Sequence, residues 1–262
     1  MLPHLVEDRP RVNVLGVGVD AIDMPTAITR IVDAARSSSG DYVCVTGVHG
    51  VMEAQRDPQL REILNHSLVT TPDGMPMVWL GRLAGFRRMR RVYGPDLMLE
   101  VCRASVAEGR THYLYGGNEG VAPELADRLR ERVPGIRIVG TFTPPFRPLS
   151  ADEERRLAEE IEALKPDFLW VGLSTPKQER FMARYHGKLA AKIMLGVGAA
   201  FDLHSGRTKQ APGWMQRAGL EWLFRLLQEP RRLFKRYAVN NPTFVWRVLQ
   251  QKVGLRQYSL GS

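Results

Sequence analysis

The sequence has little with which to staple or metallate itself. Its two cysteines, Cys44 and Cys102, lie far apart with no CxxC or Cys/His ligand spacing. That excludes a disulfide framework and a zinc site, and it fits a reducing cytoplasm. The six histidines show no paired ligand spacing, so no metal is expected. Long apolar runs are missing: none approaches the ~18 residues of a membrane span. No stretch reads as a secretory leader, so any membrane contact is expected to be peripheral. A persuasive dinucleotide fingerprint is also absent. "GVGVDA" (Gly16, Gly18, Ala21) has the glycine spacing, but Pro25 falls where the fingerprint helix should already be running. Internal repeats and low-complexity tracts are not seen.

What is present is a chain of 262 residues, 44% of them hydrophobic. That is enough to bury a sizeable core as one large α/β domain with an appendage, or as two small domains. Charge is unevenly spread. Residues 213–262 carry nine basic side chains against Glu221 and Glu229, and so hold seven of the nine net positive charges. The same segment has Trp214, Trp222 and Trp246 with Phe224, Phe234, Tyr237 and Phe244. Basic and aromatic character together point to a polyanionic surface, either membrane headgroups or nucleic acid.

Short β-branched runs alternate with helical patterns, the signature of βαβ units. Strands are expected at Val12–Val19, Asp41–Thr46, Ser67–Thr71, Thr111–Tyr115, Gly135–Thr141, Asp167–Gly172 and Ala191–Gly196. The clearest helix is Ser150–Leu164, opened by an S-x-x-E capping box of Ser150 and Glu153. Another runs from about Asn118 to Val133. The fold expected is α/β and Rossmann-like, a mostly parallel sheet flanked by helices, with a small helical C-terminal appendage. The expected division is 1–212 for the catalytic domain and 213–262 for the appendage. The appendage reads as two short helices interrupted at Pro230. In the second, Leu233, Phe234 and Tyr237 share one arc, while Arg231, Arg232, Lys235 and Arg236 share the other.

In open α/β sheets ligands sit outside the carboxyl ends of the strands. The residues there are Thr46, Asp73, Gly116 and Gly117, Ser174–Glu179 and Gly196–Asp202. "YGGNEG" suits a phosphate cradle at a helix start, and equally a strand-to-helix turn that needs glycine. In "STPKQE", Thr175 suits a cap, Pro176 the first helical position and Gln178 a capping-box partner. Asp73, in "TTPDGMPMVW", reads either as a helix cap or as a catalytic carboxylate.

Taken jointly, "TPDGMPMVWLGRLAG", "RVYGPDLM", "YLYGGNEGVA", "GTFTPPF", "VGLSTPKQERF" and the long block from "GVGAAFDLHSG" to "RRLFKRY" resemble the WecG/TagA/CpsF family of bacterial glycosyltransferases. The resemblance runs from about Val12 to Pro242. It implies transfer of a sugar from a UDP-sugar to a saccharide on polyprenyl diphosphate, in cell-surface polysaccharide synthesis. By the same resemblance Asp73 is the catalytic base, Thr46 and Arg91 are active-site residues, and Gln178 contacts sugar or phosphate. Asp202 is implied to contact nucleotide. Arg225, Arg232 and one of Lys235 or Arg236 are implied to engage diphosphate from an appendage that closes over the site. Gly116, Gly117 and Glu179 complete the candidate substrate contacts. Many relatives carry asparagine two residues after the threonine. This chain has Val48 there, followed by His49.

An inverting transfer needs a base, a path for attack opposite the leaving group, and positive charge for the departing UDP. Burial among "GMPMVW" is expected to raise the Asp73 pKa and strengthen it as a base. Arginines are expected to replace a metal at the diphosphate, and no cofactor is expected. The expected partners are a UDP-sugar (N-acetylmannosamine, its uronic acid, glucose or glucuronic acid), a polyprenyl-diphosphate-linked acceptor and a membrane surface, with no nucleic acid. The expected location is cytoplasmic, at the inner face of the membrane. Exposed apolar tail residues also suit a homo-oligomer. Alternative readings are a nucleic-acid-binding protein and a Rossmann-type oxidoreductase.

Overall fold

The computed structural model describes residues 9–37 and 40–260; residues 1–8 and 261–262, the outer ends of the two expected units, lie outside them. The chain opens with an antiparallel hairpin, β1 (Arg11–Val14) and β2 (Val17–Asp20). One continuous strand over Val12–Val19 is therefore incorrect. Leu15 and Gly16 adopt φ of 54° and 84°, the paired positive values of a two-residue hairpin turn. The Asn13 side chain fixes that turn by accepting from the Gly16 N–H at 2.8 Å.

The elements then alternate: α1 (Met24–Ser37), β3 (Asp41–Thr46), α2 (Val48–Ala54), α3 (Pro58–His66), β4 (Val69–Pro72), α4 (Met75–Leu83) and α5 (Gly94–Val106). They continue with β5 (Thr111–Gly116), α6 (Val121–Arg132), β6 (Arg137–Phe142), α7 (Ala151–Leu164), β7 (Phe168–Gly172), α8 (Lys177–Tyr185), β8 (Ile193–Gly196) and α9 (Ala200–His204). The six strands from β3 onward form one sheet in the order β4-β3-β8-β7-β5-β6, with every pairing parallel. Parallel strands covered on both faces need apolar residues on both, and these strands supply them. Val43, Leu114, Trp170 and Leu195 pack with α1, α5, α6 and α9 on one side. Cys44, Tyr113, Leu169 and Met194 pack with the hairpin, α3, α7 and α8 on the other. The fold is α/β.

The capping box of α7 forms as the sequence predicts, Ser150 and Glu153 each bonding the other's backbone. The other expected caps do not. Gly74 occupies the N-cap of α4, so the Asp73 carboxylate is not used there. Pro176, rather than Thr175, precedes α8, and no side chain caps it. Thr175 instead donates to Glu179.

The C-terminal segment comprises α10 (Gly213–Arg217), α11 (Glu221–Gln228) and α12 (Pro230–Lys252). The second of the two expected short helices is thus a 23-residue rod that continues through Pro242. Pro242 is exposed, so water can satisfy the carbonyl its missing N–H leaves behind. The expected arcs are also redrawn. Phe234 points outward, 64% exposed and outside the cavity, whereas Arg232, at the rim, and the half-buried Arg236 line a cavity together with Tyr237. Arginine occupies the inner stripe because that stripe faces a cavity rather than apolar core.

Candidate active site

The cavity lies outside the carboxyl ends of β3, β4, β7 and β8 and has a volume of about 780 Å³, the size of a nucleotide-sugar or cofactor site. Its floor is made by the residues that end the strands: Gly47, Asp73, Gly172, Ser174 and the Gly196–Ala199 turn. Its roof is made by α11 and α12.

Asp73 is held by its backbone. Its N–H donates to the Thr46 carbonyl at 3.0 Å, extending the β3–β4 ladder by one residue. Its carboxylate accepts no hydrogen bond and faces the cavity. Partly reached by solvent yet enclosed by protein, the carboxyl is pushed up to about 6, chiefly by burial and against the pull of Arg91. This is the direction expected from its apolar sequence setting.

Arg91 lies on the opposite wall, stacked on the Tyr93 ring with its guanidinium carbon 3.9 Å from the centroid. It donates to Gln216 at 2.9 Å and to the Glu221 carboxylate. A strand-proximal arginine thereby fastens α10 and α11 over the cavity. Tyr93, Gln216 and Glu221 escaped the sequence reading, since each looks unremarkable in its own segment.

Arg225, Arg232 and Arg236 line the same cavity, whereas Lys235 is exposed and outside the lining. Arg232 is paired with Glu229, but Arg225 and Arg236 have no carboxylate hydrogen bond or ion pair among the described residues. Burial, then the neighbouring Arg232, lowers the Arg236 pKa. Crowded cations of this kind await an anion. Asp202 lines the cavity as well, its carboxyl raised by burial against the pull of Arg232.

Gln178 is buried and reaches the cavity, its amide N–H₂ donating to the Glu179 carboxylate at 3.1 Å. Glu179 also accepts from Thr175 at 2.8 Å, and burial raises its pKa. This leaves the Gln178 amide oxygen and the Thr46 hydroxyl buried without hydrogen-bond partners among the described residues, while His49 Nδ1 lies 3.8 Å from the Glu53 carboxylate. Buried polar atoms are almost always satisfied, so such a group marks a place where a ligand completes the bonding.

Thr46 and Glu179 lie behind the lining rather than in it, and Gly116 and Gly117 are not among the lining residues either. A Cβ on Gly116 would sit 2.7 Å from the Gly172 backbone, and one on Gly117 2.8 Å from Val121. Their place in the fold is close packing of β5 on β7 and α6. Among the described residues no three His, Cys, Asp or Glu side chains are grouped to hold a metal ion.

Known proteins match this chain along most of its length. The chain is 28% identical over 215 residues to a Bacillus spizizenii N-acetylglucosaminyldiphosphoundecaprenol N-acetyl-beta-D-mannosaminyltransferase, covering 82% of this chain and 81% of the relative. A Bacillus subtilis protein of the same name is 28% identical over 199 residues, covering 76% and 75%. A Staphylococcus aureus protein of that name is 24% identical over 252 residues, covering 94% and 96%. The profile described as "Glycosyl transferase WecG/TagA/CpsF family" matches residues 12–258. The chain belongs to the WecG/TagA/CpsF family of glycosyltransferases.

Proposed function

We propose that this chain moves a sugar, N-acetylmannosamine or a close relative of it, from a UDP-sugar to N-acetylglucosamine carried on polyprenyl diphosphate. The transfer inverts the anomeric centre and uses no metal. The relatives' names supply the acceptor and the sugar class. One observation carries the mechanism: the Asp73 carboxylate, without a hydrogen bond among the described residues, shares a cavity with three arginines of the C-terminal helices.

In the proposed step the acceptor hydroxyl gives its proton to Asp73. Its oxygen then bonds the anomeric carbon as the bond to UDP breaks on the opposite face. A carboxyl near 6 is a stronger base than a solvated one and remains mostly ionised at pH 7. The charge growing on departing UDP and the diphosphate of the acceptor share the cluster of Arg225, Arg232 and Arg236, whose guanidinium forks suit phosphate oxygens. Gln178, oriented by Glu179, offers its amide oxygen to a sugar hydroxyl. Thr46 offers a hydroxyl at the end of β3, and Asp202 sits where it can accept from the nucleotide. Arg91 orders the roof through Glu221 and Gln216 while biasing Asp73 toward its ionised form.

No helix of the described residues is long and apolar enough to cross a membrane. Attachment by the basic, aromatic face of α12 at the inner leaflet is part of the proposal. Each cation near such a surface contributes about 1 kcal/mol. The nucleic-acid alternative is weakened, because three of the arginines that motivated it line the cavity that holds Asp73.

The decisive experiment incubates the protein with a panel of UDP-sugars and a short-chain polyprenyl-diphosphate N-acetylglucosamine, then determines product mass and anomeric linkage. A single β-linked sugar added in the presence of EDTA is expected. Turnover that stops with EDTA and returns with magnesium would overturn the metal-free step. Failure with every UDP-sugar would overturn the donor class.

A further inference from the structure

The cavity changes chemistry along its length. On α12 the lining residues run from Arg232 and Arg236, through Asn240 and Asn241, to Val245 and Leu249. At 1.5 Å per residue this stripe spans about 25 Å. Across the gap, α4 presents Trp79, Leu80 and Leu83 to the same cavity. Beneath, Phe244 and Val248 pack into the core and form an apolar floor.

Leu83, Val245 and Leu249 are 69%, 56% and 51% exposed although they border one recess. With Trp79 they make one contiguous exposed apolar patch, the kind of surface that marks a site for an apolar partner. We infer that the groove between α4 and the C-terminal half of α12 holds the first isoprene units of the lipid-linked acceptor, leading the chain out from the arginine cluster.

The order of chemistries argues for this occupant. A polyprenyl-diphosphate saccharide is sugar, then dianion, then hydrocarbon. The cavity offers, in the same order, a carboxylate base with hydrogen-bonding groups, inward arginines, and a leucine and valine slot. A protein helix laid in the groove would meet the apolar end but bring no diphosphate to the arginines that the groove adjoins. A headgroup contact alone would leave the slot empty. The inference rests on the acceptor class proposed above.

The test uses full-length protein, UDP-N-acetylmannosamine and N-acetylglucosaminyl diphosphates with tails of one, two and three isoprene units. No vesicles are present, and acceptors are kept below their micelle concentrations. Burying even two methylene equivalents per unit favours binding by about tenfold or more. Acceptor kcat/KM is therefore expected to rise about tenfold with each added unit until the groove is filled. The double variant Leu83→Asn, Leu249→Asn should flatten that rise to near unity, with Val245→Asn giving a smaller loss. Phe234→Asn, an exposed apolar change outside the lining, should keep the wild-type slope.

Equal kcat/KM for all three tails in the wild type would overturn the inference. So would an equal loss of slope in Phe234→Asn, which would trace the effect to general stickiness. Transfer to no acceptor at all would instead sink the functional reading, and the groove with it.

Discussion

At the scale of single residues, Asp73 is placed by strand register and tuned by its surroundings. Asp73→Asn should lower kcat by about 10²–10⁴ while UDP affinity is retained, checked by steady-state rates and calorimetric titration with UDP. The rate should also show an acidic limb near pH 6. Stability should move the other way. Burial raises the carboxyl from 3.8 to about 6, so between those values the folded chain holds a proton the unfolded chain has lost. Stability therefore falls as pH rises through that window and is lowest, for this group, above it. Asp73→Asn should accordingly raise Tm at pH 7, by on the order of 1–3 kcal/mol in stability, and leave it unchanged at pH 3. A variant less stable than wild type at pH 7 would contradict the burial account. His49 offers a second check at this scale. Its ring lines the cavity beside Val48, with Nδ1 3.8 Å from the Glu53 carboxylate. His49→Ala should raise KM for donor or acceptor about tenfold, the worth of one ligand hydrogen bond.

At the scale of elements, sequence was a good guide wherever one local rule decided the outcome. The Ser150 capping box is such a case, since its two hydrogen bonds close within four residues. Strand β3 appears with the expected limits because apolar residues fill both of its faces. Local rules failed where a distant segment intervened. Asp73 and Thr175 look like caps, but the cavity and Glu179 engage them instead. Arg232 and Arg236 look like a solvated face, yet both line the cavity. Packing between elements gives a further prediction. A Cβ on Gly172 would lie 2.6 Å from the Phe201 ring, itself 1% exposed and unable to move aside. Gly172→Ala should cost about 1–3 kcal/mol by urea titration. For the roof, Arg225→Ala and Arg236→Ala should each weaken UDP binding about 10–100-fold, the worth of a charge-assisted bond.

At the scale of the whole molecule, the C-terminal helices and the sheet are tied together at several points. Gln251 of α12 bonds both Leu15 and Asn13 of the hairpin, at 3.1 and 3.0 Å. Arg56 bonds Asn240 at 3.0 Å. Truncation after Gly213 should abolish transfer and weaken binding to anionic liposomes; a fully active truncation would show the roof to be dispensable. Global stability should also depend on pH through His112, fully buried near the start of β5. The Trp170 indole N–H donates to its Nδ1 at 3.0 Å, so its Nε2 carries the proton toward Ser105 at 2.9 Å. Burial holds this neutral ring down at about 4, from 6.5. Its contribution is present above 6.5 and is lost as pH falls toward 4, because only the unfolded chain takes up the proton there. Asp73 acts with opposite sign in part of that window. Urea titrations at pH 7.5 and 4.5 are therefore best made in the Asp73→Asn background, where stability should drop at the lower pH.

Sequence alone determined the alternation of strands and helices, the capping of α7, the basic aromatic tail and the family to which the chain belongs. Each of these is written in residue types at fixed spacing, and spacing survives without knowledge of the fold. Only the tertiary structure decided that Arg91 is held by Glu221, that α12 lines the cavity with two of its arginines, and that an apolar slot continues from them. Those contacts join residues far apart in the chain, and what brings them together is the parallel order of the strands and the packing of α12 across their ends.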